Sequence, residues 1–240
     1  MSKTTTPSAT HILQTGRQNG SILLYILLGI VLLGMLAVAL RNVGTGTGNI
    51  DREDMILKAG NIQRYGQEMA SAVADLLSSG LSETDIRFAH PDAPLDYGTI
   101  TIDPTHQVFG KSGAKLTYQT PPDGINDGSP WEFFATTRIP QVGSDRAELV
   151  AVLPHVTQEF CQMIDRQLGF SSGTQPTDST TGTTPDCVAG ASSQRFTGGF
   201  NDISPNEMDA TSFSRLPSLQ ACVYCAADST YNYYYVLLAR

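Results

Sequence analysis

The four cysteines are the residues of this chain whose types and spacing could most directly do chemistry. They are Cys161, Cys187, Cys222 and Cys225. The last two have the C-x-x-C spacing of thiol oxidoreductases, in which the first cysteine lies exposed at a helix N-terminus that stabilises its thiolate. Residues 221–227 instead have the pattern of a strand. Because an even number of cysteines is typical of disulfide-bonded proteins outside the cytoplasm, we expect structural disulfides and no redox activity.

The pairing of these cysteines depends on the conformation of residues 221–227. In a strand, Cys222 and Cys225 would have Cα atoms about 10 Å apart, at roughly 3.3 Å per residue. That separation exceeds the limit of about 7 Å for a disulfide, so each would pair with Cys161 or Cys187. If the segment turns instead, Cys161 would pair with Cys187, and Cys222 with Cys225. The sequence leaves both alternatives open.

A histidine and a glutamate, His155 and Glu159, lie four residues apart at the start of a predicted helix, close to Cys161. Such a pair could act as an acid and a base, but no partner nucleophile accompanies it. We therefore interpret the pair as part of a solvated helix turn, and we predict that the protein is not an enzyme.

Hard oxygen ligands are densest between residues 201 and 209, where Asp202, Glu207 and Asp209 are candidate ligands for calcium. Residues 123–128 resemble a calcium loop less well, because Ile125 occupies a position that needs an oxygen ligand. The histidines are scattered, which is not typical of a zinc site. Since acidic surface loops are common without a metal, we predict no metal and no cofactor.

Charge is strongly segregated along the chain. Residues 1–50 contain three basic residues and no acidic one, whereas the rest holds all 23 acidic residues against 12 of the 15 basic ones, a net charge of −11. An acidic body argues against a nucleic-acid partner, because binding to phosphates needs clustered lysine and arginine. Basic residues before an apolar run are typical of a cytoplasmic N-terminus.

Residues 22–40 are a run of 19 residues without a charge. At about 1.5 Å per residue, a helix of this length nearly matches the roughly 30 Å hydrocarbon core of a bilayer. The run predicts a transmembrane helix over residues 21–41, with the lipid bilayer as a partner. Gly29 and Gly34 are five residues apart, so they lack the four-residue spacing of a glycine dimer seam and are expected to ease helix packing.

The fate of the N-terminal segment has three alternatives. Residues 37–39, Ala-Val-Ala, fit a secretory cleavage site after Ala39, but the apolar run exceeds the usual length of a secretory signal, about 7–15 residues. Retention of the helix as an anchor is the expectation, with residues 1–20 as a cytoplasmic leader or tail. Cleavage just after Gly20 is the third alternative.

Residues 51–240 predict an α+β head domain, joined to the membrane helix by a glycine-rich hinge at residues 42–50. An amphipathic helix is predicted from an N-cap at Asp51 to about Ser79, and Gly80 ends it. Its apolar stripe recurs at three- and four-residue spacing and is expected to pack on the core of the domain. The stripe consists of Met55, Ala59, Ile62, Gly66, Met69, Val73 and Leu76.

After Ile86, short segments rich in aromatic and β-branched residues alternate with turn clusters, which predicts an antiparallel sheet. The predicted strands are residues 97–102, 107–109, 115–119, 131–139, 148–153, 221–227 and 231–239. Apolar residues on both faces of the last strand predict that it is covered on both sides. One further short helix is predicted after Pro154 and ends at Gly169, and residues 171–186 predict a polar loop.

A polar leader ending in Gly20, a membrane helix, an amphipathic helix and then an antiparallel sheet together resemble the type IV pilins and pseudopilins. The resemblance is one of organisation and is clearest over residues 17–80. In that family a prepilin peptidase cuts after a glycine preceded by basic residues, which implies cleavage between Gly20 and Ser21, with Arg17 nearby. The tyrosine-rich end, YYYVLLAR, is also similar to uncharacterised exported bacterial proteins of pilin-like type.

The resemblance implies a structural or assembly component of a filament or secretion apparatus, whose partners are other pilin-like subunits or proteins of the assembly machinery. It implies a single pass through the bacterial inner membrane, with the head in the periplasm or in an extracellular filament. The family's usual glutamate at the fifth mature position falls on Tyr25, which supplies no charge to recruit a neighbouring subunit. The alternative is a membrane-anchored periplasmic binding module that does not join a filament.

Overall fold

The computed structural model describes residues 21–44, 47–171, 175–178 and 187–240. It divides the chain into two compact units, one up to Ile50 and one from Asp51 to Arg240. The fold class is α+β, as the sequence predicts, with three α-helices and one six-stranded sheet among the described residues. The predicted leader, residues 1–20, lies outside the described residues.

Helix α1, Ser21–Gly44, belongs to the first unit. The side chains described in this helix are those of residues 24–35, and all the large apolar ones among them are exposed, Leu33 by 67%. Since residues 21–44 form a helix, the predicted helical conformation of this run is confirmed. In the part of the chain that the structure describes, no helix combines the length and the apolar character needed to cross a membrane.

Helix α2, Thr47–Ser78, begins earlier than the sequence predicts. The predicted N-cap at Asp51 is wrong, because Asp51 lies within α2. Of the predicted hinge at residues 42–50, residues 42–44 belong to α1 and residues 47–50 to α2, and a bend of the chain there stays a prediction. Residues 45 and 46 lie outside the described residues. Glycine in a helix interior costs only about 1 kcal/mol relative to alanine, so the glycines of this segment do not exclude helix on either side.

The predicted apolar stripe of α2 is confirmed as the face that packs on the core. The buried side chains of this face are Ala59, Ile62, Tyr65, Met69, Val73 and Leu76. Gly66 lies on the same face, where the ring of Tyr235 occupies the space that a Cβ atom would need. The chain leaves the helix through Gly80, whose φ of 95° is readily adopted only by glycine.

The sheet combines an antiparallel centre with a short parallel strand at each edge. Its strands are β1, Glu132–Arg138; β2, Glu148–Leu153; β3, Thr177–Asp178; β4, Asn206–Glu207; β5, Gln220–Cys225; and β6, Thr230–Leu238. Their order is β3-β5-β6-β2-β1-β4. β3 pairs with β5 and β4 pairs with β1 in parallel, whereas the central pairs are antiparallel. The four longer strands confirm the predicted ones at residues 131–139, 148–153, 221–227 and 231–239.

Both faces of the sheet are covered, as the pattern of residues 231–239 predicts. Tyr233 and Leu237 of β6 belong to the core shared with α2 and with α3, Gln158–Leu168. Tyr234 and Val236 face a second core on the other side of the sheet. Loop residues cover this second core, among them Ile139, Val142, Phe170, Val188, Met208 and Phe213. Gly169 ends α3 in the left-handed conformation, as predicted.

The two edge strands meet through a buried polar contact. The Asn206 side-chain amide donates to Asp178 Oδ2 at 2.7 Å, and both side chains are fully buried. The backbone N–H of Thr177 in β3 donates to the hydroxyl of Ser212 at 2.8 Å. Side chains therefore bind one another and the main chain at the edges of the sheet.

The prediction of strands at residues 97–102, 107–109 and 115–119 is wrong. These residues form turns, a short 3₁₀-helix, Leu95–Tyr97, and stretches without regular structure. Gln107 forms an isolated bridge with Arg87 that does not extend into a strand, and side chains bind much of the remaining main chain. The buried side chain of Gln107 accepts from the Ala89 N–H and donates to the Ile102 carbonyl. Aromatic and β-branched composition alone does not distinguish such an aromatic-rich loop from a strand.

The side chain of Tyr97 likewise binds main-chain groups of β1 that a neighbouring strand would otherwise bind. Its phenol oxygen accepts from the Phe133 N–H at 2.6 Å and donates to the Phe133 carbonyl at 3.1 Å. We expect Tyr97→Phe to lower the free energy of unfolding by about 1–2 kcal/mol, because a buried N–H loses its acceptor. Denaturant unfolding measures this effect. Tyr231→Phe, at a half-exposed tyrosine, is the control and should change stability by less than about 0.5 kcal/mol, whereas equal effects would contradict the assignment.

Candidate functional site

The structure pairs all four cysteines. Cys161 of α3 is bonded to Cys222 of β5, with Cα atoms 5.2 Å apart, and Cys187 is bonded to Cys225, with Cα atoms 5.9 Å apart. Because β5 is a strand, the strand alternative for the pairing is confirmed. The C-x-x-C segment therefore offers no dithiol site, since each of its cysteines is buried and bonded to a cysteine outside the segment.

The Cys161–Cys222 disulfide forms part of a two-point attachment of α3 to β5. Asp165 lies one turn after Cys161 and is only 4% exposed. Its Oδ1 atom accepts from the backbone N–H of Cys222 at 3.0 Å. Burial raises the pKa of Asp165 to about 7, against the opposing effect of this hydrogen bond. A disulfide and a carboxyl group thus hold the same residue of β5.

A second buried carboxyl group lies at the start of β2. Glu148 is fully buried, and its Oε2 atom accepts from the Ile139 N–H at 2.8 Å. Burial raises the pKa of Glu148 to about 7, although Arg138 and Arg240 oppose the shift. The sequence patterns described above do not single out either carboxyl group. A signal for each is present in the sequence, because each is an acidic residue among residues predicted to be buried. Glu148 begins the apolar run ELVAVL, and Asp165 lies one helical turn after Cys161.

His155 and Glu159 do not form an acid–base site. Nδ1 of His155 lies 2.9 Å from Asp127 Oδ2, and both side chains are about half exposed. Glu159 is exposed in the first turn of α3. The carboxylate of Asp127 also accepts from the backbone N–H of Ser129 at 3.0 Å. The histidine is thus part of a solvated surface pair with a carboxylate, in an exposed position where ion pairs contribute little.

The candidate calcium ligands lie in three different contacts. Asp202 accepts from Arg240 at 3.0 Å, and Glu207 forms an ion pair with Arg138. Asp209 accepts from the N–H and the hydroxyl of Thr211, and so begins a 3₁₀ turn. Two of these carboxylates bind arginines and the third caps a turn, and the three do not converge on one point where a calcium ion could bind.

Among the described residues, one group of potential metal ligands has its ligand atoms within 4.8 Å of one another. It consists of Cys187, Cys225 and the exposed Asp228. Both sulfur atoms belong to a disulfide and cannot act as thiolate ligands. This group therefore does not form a zinc-type site.

A surface depression of about 470 Å³ lies between the loop after β1 and the segment after β4. Arg138 at its rim pairs with Glu207 and lies 3.8 Å from Asp145. The rest of the lining includes Ile139, Val142 and Met208 of the second core. Its size is within the range of ligand pockets, about 300–1,000 Å³, but the guanidinium of Arg138 is already engaged by the carboxylates of the lining.

The predicted membrane-helix residues lie on α1. Tyr25 is 67% exposed, and a Cβ atom at Gly29 or Gly34 would meet no atom within 4 Å. Ser21 is the first residue of the helix, and Gly20 lies outside the described residues.

No protein-family model, no curated protein and no solved structure matches this chain. The inference of function therefore depends on the chain's own residues and on the arrangement of its elements. Among the described residues, that arrangement contains disulfides, buried carboxyl groups and an exposed apolar helix, and no assembled nucleophile, base and acid.

Proposed function

We propose that this chain is a pilin-like or pseudopilin-like structural or assembly component, anchored in the bacterial inner membrane with its head in the periplasm. The observation that carries the proposal is the succession of an uncovered apolar helix, α1, and an amphipathic helix, α2, that packs on an antiparallel sheet. A helix whose large apolar side chains are exposed needs a lipid or protein environment to remove them from water.

The anchor is supported by the 19 uncharged residues at positions 22–40. A helix of this length has about the thickness of the bilayer core, roughly 30 Å. The two disulfides are consistent with a head outside the cytoplasm, because disulfides persist in oxidising compartments. The basic leader before the run favours an N-terminus on the cytoplasmic side.

Tyr25 limits the kind of component that the proposal favours. Its amphipathic ring suits the headgroup boundary of a membrane, but its neutral hydroxyl cannot form an ion pair with the N-terminal amine of a neighbouring subunit. We therefore favour a minor, capping or initiating subunit that works with other pilin-like subunits over one that builds a homopolymer.

The proposal predicts that the mature protein begins at Ser21. N-terminal sequencing of the protein from membranes of a bacterium that has a prepilin peptidase tests this prediction. We expect Gly20→Leu to leave the leader attached and Gly16→Leu, the control glycine in the same leader, to be processed normally. A mature N-terminus at Leu40 would show a secretory signal and overturn the proposal.

An intact N-terminus in the unmodified chain would also contradict the pilin-like role. It would leave the alternative of a membrane-anchored periplasmic binding module that does not join a filament. Fractionation of the same cells distinguishes this outcome from loss of the anchor, because only a chain that keeps α1 should sediment with membranes.

A further inference from the structure

Asp165 has a buried carboxyl group in which one oxygen atom accepts a hydrogen bond and the other does not. It lies on α3 and is 4% exposed. Oδ1 accepts from the Cys222 N–H, and Oδ2 has no hydrogen-bond partner among the described residues. An ionised carboxylate needs several donors when it is removed from water. The site therefore fits the neutral acid better than the carboxylate.

The position of Asp165 on its helix adds to this preference. Its backbone carbonyl accepts from Gly169 and Phe170 at the C-terminal end of α3. That end carries a partial negative charge, which disfavours a second negative charge nearby. Burial raises the pKa of the carboxyl group to about 7.

Few other titratable or charged groups face Asp165 from the elements around it. From β6, the phenol of Tyr234 lies near it and donates to the Ser218 carbonyl. Glu148 of β2 also acts electrostatically on that phenol. At the end of α3, Arg215 donates to the Leu168 carbonyl at 2.6 Å. Arg166 on α3 itself donates to Gln162. In these contacts both arginines bind backbone carbonyls.

The Cys161–Cys222 disulfide is inaccessible while α3 stays on β5. Both cysteines are 0% exposed, and they join the same two elements as Asp165 does. A reductant can reach the sulfur atoms only after local opening of α3, a motion whose free energy can lie well below that of global unfolding.

We propose that Asp165 is a pH-sensitive latch that holds α3 on β5 and controls access to the Cys161–Cys222 disulfide. When the carboxyl group is protonated, α3 stays closed over the disulfide. When it ionises, hydration of the carboxylate favours the open state and the sulfur atoms become accessible. The latch does not depend on the membrane anchor or on assembly with other subunits.

The sign of the pH effect follows from the direction of the shift. A carboxyl group with a raised pKa in the folded state stabilises the closed state fully below about pH 4, the ordinary range of aspartate. This contribution is lost as the pH rises toward 7, the pKa of Asp165 in the folded protein. Opening should therefore be rare in acid and reach its plateau above neutral pH.

Reduction by a water-soluble trialkylphosphine tests the latch. The phosphorus atom attacks one sulfur and the S–S bond breaks. Water then hydrolyses the phosphonium–sulfur bond. The products are two thiols and one phosphine oxide, so the phosphine is the two-electron reductant. The full chain in mild detergent is treated with it between about pH 5.5 and 8.5, and mass spectrometry of alkylated peptides measures each disulfide separately.

We expect the rate for Cys161–Cys222, divided by that for Cys187–Cys225, to rise about 30-fold over this range, in proportion to the ionised fraction of a group with a pKa near 7. Asp165→Asn should abolish the rise. Glu148→Gln and Glu159→Gln, the second buried acid and an exposed acid of α3, should keep it. A flat profile in the unmodified chain, or an unchanged rise in Asp165→Asn, would overturn the proposal.

Amide hydrogen exchange keeps the proposal testable if Asp165→Asn does not fold. In the unmodified chain, the opening constant at the Cys222 amide, corrected for the intrinsic exchange rate, should rise with a midpoint near pH 7. An opening constant that is independent of pH would contradict the latch. A rise that persists in Glu148→Gln excludes the other buried carboxyl group as its origin.

Discussion

Replacing Cys161 and Cys222 together with alanine is expected to lower the free energy of unfolding by about 4 kcal/mol. The disulfide closes a loop with a sequence separation of 61 residues, which restricts the unfolded chain strongly. Its two sulfur atoms also lie in the core between α3 and the sheet, where their removal leaves unfilled space. Denaturant unfolding of the double variant against the oxidised protein measures the effect.

Cys187→Ala with Cys225→Ala is the matched control for this prediction. Its loop is shorter, with a sequence separation of 38 residues, which lowers the entropic contribution by only about 0.4 kcal/mol. We expect this variant to be destabilised too, but less than the first because it does not attach α3. A loss below about 1 kcal/mol for Cys161 and Cys222 would show that the α3–β5 attachment contributes little.

Gly66→Ala is expected to destabilise the head by about 1–3 kcal/mol, whereas alanine stabilises most exposed helix positions occupied by glycine. A Cβ atom at Gly66 would lie 2.5 Å from Cδ2 and 2.7 Å from Cγ of Tyr235. These atoms lie near the base of the side chain, so the ring cannot move aside without a shift of β6 or of its own rotamer. Denaturant unfolding again provides the measurement.

Gly60→Ala is the control on the same helix. A Cβ atom at Gly60 would meet no atom within 4 Å, and the residue is exposed. The higher helix propensity of alanine should therefore stabilise this variant by about 0.5–1 kcal/mol. The two variants should differ in stability by about 1.5–4 kcal/mol. Similar stabilities would mean that α2 does not approach β6 as closely as the structure shows.

The elements that the sequence predicts well are those with a strong local period. The apolar stripe of α2 marks one buried face, and the nearly continuous apolar runs of β2 and β6 mark strands covered on both faces, so local spacing is sufficient to place them. The exclusion of a Cys222–Cys225 bridge in a strand also needs only the rise per residue. Where a periodic apolar pattern is long and strong, the prediction and the structure agree.

The features that the sequence does not predict depend on contacts between distant segments. Strands β3 and β4 contain two residues each, too few for any period to be visible, and both pair in parallel with strands far along the chain. The buried position of Asp165 depends in the same way on β5, 57 residues later. Residues 97–102, 107–109 and 115–119 resemble strands in composition because their aromatic residues are buried in the core, although they form no strands.

The two-residue edge strands have a consequence for how neighbouring heads can meet. A long, open edge is a template on which another chain can add a strand, and such addition leads to aggregation or fibres. Here β3 and β4 are too short to nucleate a ladder, and Ser212 and Asp178 bind polar groups at these edges. Heads crowded side by side should therefore contact one another through side chains of helices and loops, and their sheets should remain separate.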